Sequence, residues 1–67
     1  MKVLGERLKE LRLEHNLTTT QLADALGIRD SSISRWENDV VSPSVEALYD
    51  IAKYFNVTAD YLIGLED

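Results

Sequence analysis

The sequence predicts an all-α chain, and three observations carry that prediction. Apolar residues recur at helical spacing in two long stretches, Leu4-Leu8-Leu11 and Val45-Leu48-Ile51-Ala52-Phe55. Start and stop residues bracket the shorter segments: Thr18 with Gln21 three positions on reads as a capping box, and Gly27 as a left-handed stop. Between Thr18 and Asn38 these signals place two short helices on either side of a tight turn, and the rest of the chain is organised around that stretch.

Met1 to Asn16 contains the first helix. Leu4, Leu8 and Leu11 take one face; Glu6, Lys9, Glu10 and Glu14 take the other. Glu6, Glu10 and Glu14 repel one another at i, i+4, offset in part by Arg7, Lys9 and Arg12 beside them. His15, the one histidine, sits at the helix end and reads as a solvated surface residue. Asn16 is a left-handed stop, and Leu17 enters the core. Thr18 then caps a helix that turns Leu22, Ala23 and Leu26 inward, and Ile28 plugs the turn after Gly27.

The next helix starts near Asp30 and carries only Ile33 and Trp36 as large apolar residues, at i and i+3. Ser31, Ser32, Ser34 and Arg35 are left pointing outward. Short hydroxyls lose little side-chain entropy on docking and offer donors and acceptors at close range, as a helix in a DNA major groove requires. A plain solvated face is the other reading of the same serines. Pro43-Ser44 opens the following helix with Ser44 as cap. Its stripe runs Val45, Leu48, Ile51, Ala52, Phe55, with Tyr49 and Tyr54 half-buried at the flanks and Asn56 as the stop. Thr58 caps a last short helix, Ala59 to Ile63, ended by Gly64. Tyr61, Leu62, Ile63 and Leu65 are many apolar residues for so short a segment. Tyr61, Leu62 and Leu65 are therefore expected at a dimer contact, with plugging of the bundle's end as the alternative.

Composition bounds the function. Sixty-seven residues make one domain, 1–67, with one modest core. A hydrophobic content of 45% argues against disorder. With no cysteine there is no disulfide framework and no thiol chemistry. No apolar run approaches a membrane span, and the N-terminus carries no apolar signal segment. A soluble, cytoplasmic protein is expected. One histidine, no glycine-rich phosphate loop and no carboxylate pair in a cleft argue against an enzyme; no catalytic residue, cofactor or metal is expected. The net charge of −5 cuts against nucleic acid, which calls for a basic footprint. Net charge is an average, however: Lys2, Arg7, Lys9, Arg12, Arg29 and Arg35 all lie in the first 35 residues, and only Lys53 follows.

Taken together, Leu22-Ala23, Leu26-Gly27-Ile28, Ile33-Ser34-Arg35-Trp36-Glu37-Asn38, Pro43-Ser44 and Asp60-Tyr61-Leu62-Ile63-Gly64 resemble the Cro/CI (Xre) helix-turn-helix family of phage and bacterial transcriptional regulators. The motifs match in order from about Leu4 to Leu65. The resemblance implies a compact bundle of five helices, a lambda-repressor-like DNA-binding domain with its motif at about 18–38. It also implies a sequence-specific DNA-binding regulator, a repressor, acting as a homodimer on a two-fold symmetric operator. The pattern ends where the chain ends, which leaves open a complete small regulator or a fragment of a longer one.

Carried over by position, the resemblance puts Asp30, Ser31, Ser34 and Arg35 at the base edges and Thr19, Arg29, Ser32 and Asn38 at phosphates. It pairs Arg12 with Glu37 as a structural ion pair. Several residues depart from the family pattern. Thr19 stands where glutamine is common, Arg29 where a small capping residue is common, and Asp30 where a basic or amide residue is common. Asp30 is a candidate to take over the cap or to accept from cytosine N4. Asp39-Val40-Val41-Ser42 replaces a loop that in relatives often carries glycine and basic residues. These changes leave a second reading open: a helix-turn-helix protein-interaction module, antitoxin-like or regulator-binding, with weak DNA affinity.

Overall fold

Five helices follow one another in the computed structural model, which describes residues 1–67: α1 (Lys2–Glu14), α2 (Thr19–Leu26), α3 (Asp30–Glu37), α4 (Val45–Phe55) and α5 (Ala59–Ile63). There are no strands. Three starts carry side-chain caps: Thr18, Ser44 and Thr58 accept from the backbone N–H of Gln21, Ala47 and Tyr61. Three stops are left-handed, with positive φ at Gly27, Asn56 and Gly64, and Asn16 turns the chain the same way just after α1. No helix is long and apolar enough to cross a membrane.

Each helix sends one fully buried side chain to a common centre: Leu8, Leu22, Ile33, Ile51 and Leu62. Leu4, Leu11, Ala23, Trp36, Ala52 and Phe55 complete it, and Leu17, Leu26 and Ile28 pack against its edge. Each of the large central side chains contributes about 1.5–3 kcal/mol by leaving water, so a short helix such as α5 is held by packing and not by its own propensity.

Burial corrects three expectations. Leu62 is 0% exposed and is core. A five-residue helix has one inward position, Leu62 fills it, and it is closed to a second chain. Tyr61 is half-buried, with the Arg7 guanidinium 4.3 Å above its ring. Of the expected dimer residues only Leu65 projects freely, at 72% exposure. Val45 is 83% exposed although it falls on the α4 stripe. It is the first residue of the helix, and its Cβ leans back past the helix start, beyond the packed layer. Tyr49 and Tyr54 are exposed rather than half-buried, Tyr54 standing edge-on to Phe55.

Two contacts place α3 against α1. Gly5 lies under the last turn of α3: a Cβ there would stand 2.6 Å from the Trp36 carbonyl oxygen and 2.8 Å from that of Glu37. Only a residue without a side chain lets the two backbones approach so closely. One and two turns further along α1, Leu8 enters the core and Arg12 meets Glu37.

Candidate nucleic-acid interface

The site begins with how α2 is fixed. Gln21 N–H donates to Thr18 Oγ1 at 3.0 Å, and Thr18 N–H donates to Gln21 Oε1 at 2.9 Å, closing the capping box. At the other end Gly27 has φ +71°, and a Cβ there would meet nothing within 4 Å. Backbone conformation alone, not crowding, calls for glycine. The Gly27 and Ile28 N–H groups return to Asp24 and Ala23 carbonyls, and Ile28 tucks against the core. The turn is thereby short and well anchored, and it delivers the chain to α3.

The start of α3 is different. Arg29 has the extended conformation of a cap residue (φ −82°, ψ 145°) but provides no side-chain acceptor. Asp30 does not take over the cap. Its carboxylate turns away from its own helix and accepts from Thr20 Oγ1 at 3.2 Å, across the turn. Ile33 and Trp36 are buried; Asp30, Ser31, Ser34 and Arg35 are exposed together on the outer side. Ser32 is half-buried beside them. Of the positions assigned to phosphate, Arg29 and Asn38 are exposed and Thr19 is half-buried at the first residue of α2. Asn38 Nδ2 donates to the Ser34 carbonyl at 2.8 Å, so the amide is partly occupied in finishing α3.

The end of α3 is held from below. Arg12 Nε donates to Glu37 Oε2 at 2.7 Å, and Arg12 Nη2 to Oε1 at 3.0 Å, a bidentate pair. Arg12 Nη1 also donates to the Leu17 carbonyl at 2.9 Å. Three segments therefore meet at Arg12, a residue only 9% exposed. Its hydrogen bonds to Glu37 hold the Arg12 pKa above the usual arginine value, against the opposing effect of burial. A raised cation pKa stabilises the fold at every pH below the unfolded arginine value, so this contribution is constant across neutral pH and lost only in strong alkali.

Charge is distributed less simply than along the chain. Arg12 is matched by Glu37. Arg7 reaches the other way, donating to the Tyr61 carbonyl and, at 2.6 Å, to that of Glu66. On the helix-turn-helix itself the exposed cations are Arg29 and Arg35. The loop beyond α3 adds a carboxylate: Asp39 sits at φ +60° and accepts from the N-terminal ammonium at 2.5 Å. Val40 and Val41 beside it are exposed. Three residues matter here through contacts that the sequence does not announce. Thr20 had no local signal, since its partner is ten residues away. Gly5 had one, a glycine inside a helix. Arg7 makes its contacts with residues from the far end of the chain.

Comparison with known proteins agrees with this geometry. A family model described as helix-turn-helix matches residues 8–62. The HTH-type transcriptional regulator YobD of Bacillus subtilis is 39% identical over 92% of this chain, which covers 55% of that protein. The HTH-type transcriptional activator BcrR of Enterococcus faecalis is 42% identical over 94% of this chain and 31% of its own length. The chain thus spans between about a third and about half of these relatives. The P22 c2 repressor, solved in complex with a synthetic operator, superposes with a TM-score of 0.85 at 27% identity, covering 92% of this chain and 94% of the repressor chain. With the matched segment running from α1 through the core of α5, the chain belongs to the Cro/CI-type helix-turn-helix family.

Proposed function

We propose that this chain is a sequence-specific DNA-binding transcriptional regulator, a repressor, that lays α3 in the major groove. The observation that carries the reading is the division of α3. Ile33 and Trp36 are buried, and Asp30, Ser31, Ser34 and Arg35 are exposed on one outer side. Arg35 can fork onto guanine O6 and N7, a pairing that discriminates by about 1–3 kcal/mol. Ser31 and Ser34 add shorter, less selective contacts. Thr19, Arg29, Ser32 and Asn38 lie around the reading face, where phosphates would set its register.

The molecule measures 27 × 23 × 20 Å. Successive half-sites lie roughly 34 Å apart, so one copy engages one groove and a symmetric operator takes two. With Arg29 as the exposed motif cation assigned to phosphate, log affinity should fall against log salt with a shallow slope of about −1 per copy. Such a regulator works in the cytoplasm, beside the chromosome.

The test is selection from a random-sequence duplex pool, followed by a salt titration. Enrichment of a two-fold symmetric site, lost in Arg35→Glu while the helical circular dichroism is kept, is the expected result. A second reading is favoured by the exposure of Val40 and Val41, next to Asp39 in the loop, and of Leu65. In that reading the loop after α3 and Leu65 dock a protein partner. A folded chain that enriches no duplex even at low salt would select it.

A further inference from the structure

We propose that Thr20 is a positioning residue for base readout: it aims the Asp30 carboxylate outward, and Asp30 then selects cytosine at the base facing the start of α3. The inference rests on the DNA-binding reading above and adds to it one base and one residue of α2.

Asp30 is the first residue of a helix whose cap position supplies no side-chain acceptor. Left to itself, a carboxylate there would fold back onto the free N–H groups of its own first turn. It does not: no backbone N–H donates to it, and its partner is Thr20 Oγ1. Thr20 is the second residue of α2, whose start is fixed by the Thr18–Gln21 capping box. A β-branched side chain on a fixed backbone has few χ1 options. The hydroxyl is therefore a well-placed donor that satisfies one lone pair of the carboxylate and leaves the others for an outside donor.

An ionised carboxylate only accepts. In the major groove guanine offers N7 and O6, and thymine O4, all acceptors that repel it. Adenine offers a donor at N6 with an acceptor, N7, beside it. Cytosine offers the N4 amino group and no acceptor of its own. Asp30 thus chooses cytosine chiefly by exclusion. Arg35, which only donates, chooses guanine at the other end of the same face. A carboxylate that had collapsed onto its own helix would be spent and would read nothing.

The experiment is the same duplex selection run with the 67-residue chain and four variants, each checked for helical circular dichroism and thermal unfolding. Wild type should enrich cytosine at one position per half-site by roughly tenfold or more over guanine or thymine. Asp30→Asn should move that preference to adenine, which an amide pairs at N6 and N7. Thr20→Val, which keeps the shape and loses the hydroxyl, should relax it to within roughly threefold while the Arg35-dependent guanine persists. Thr20→Ser, which restores the donor, should recover it. A cytosine preference unchanged in Thr20→Val overturns the positioning role. A different base at that position, or indifference to Asp30→Asn, overturns the readout. An enriched site lost in Arg35→Glu but blind to both residues sinks this inference alone. A wild type that enriches nothing sinks the DNA reading and this inference with it.

Discussion

α2 and α3 are both eight residues long and pack against each other, yet they are specified in opposite ways. α2 has a complete capping box at its start and a left-handed glycine at its end, and every one of those signals lies within its own segment. α3 has no side-chain cap at its start. It is held at Gly5, at the Arg12–Glu37 pair and through Trp36, by residues from another helix. Local signals suffice for an element that mainly supports its neighbour. An element whose outer face must stay free for a partner is better held from behind, because self-capping side chains would occupy the face.

The contacts behind α3 should be the costly ones to break. Arg12→Met leaves Glu37 buried without its partner, and the expected loss is about 3–5 kcal/mol. A chain of this length has only about 3–10 kcal/mol of stability in total. Urea unfolding should find the variant largely unfolded, and replacing Glu37 by Met as well should recover much of the loss. If Arg12→Met unfolds with an unchanged midpoint, α3 is not held from α1.

Next comes Gly5→Ala. Its methyl would stand against two backbone carbonyls that cannot rotate away. Overpacking costs about 1–3 kcal/mol, opposed by up to about 1 kcal/mol of better helix propensity. A net drop in thermal midpoint is expected. A rise would mean that α1 slides at little cost.

The caps sharpen the contrast with smaller effects. Thr18→Ala should cost about 1 kcal/mol, seen in urea midpoints. Arg29→Ser, at a position already in the cap conformation, should do the reverse and stabilise α3 by about 0.5–1 kcal/mol. The same change removes an exposed cation from the side proposed to meet DNA. A variant that melts higher and binds duplex DNA more weakly, with a shallower salt slope, would show that the uncapped start of α3 serves binding. If Arg29→Ser melts higher and binds as well as wild type, Arg29 is only a missing cap.

Legibility follows the same division. Thr18, Gln21, Gly27, Ser44, Asn56, Thr58 and Gly64 could be placed from sequence because each acts on backbone within a few residues. Ile33 and Trp36 could be placed because their spacing repeats with the helix. Val45 departs from expectation because periodicity states which residues share a face and not how far the neighbouring layer extends, and it overshoots that layer's edge. Leu62 departs for another reason: a count of apolar residues in a short segment does not say which of them the core takes. The Thr20–Asp30 bond was invisible because its length depends on the angle at which the turn delivers α3.

Sequence alone determined where α2, α4 and α5 start and stop, which residues form the apolar stripes, and that α3 has a thin buried edge and a polar outer side. Those properties come from backbone capping and helical period, which act over less than two turns. Tertiary structure decided which cations remain free, with Arg7 and Arg12 committed inside the molecule and Arg29 and Arg35 left outside. It also decided that Asp30 faces Thr20 rather than its own helix. Both outcomes depend on groups brought together across the chain by core packing, and a charge or a carboxylate has no assigned partner until that packing is made.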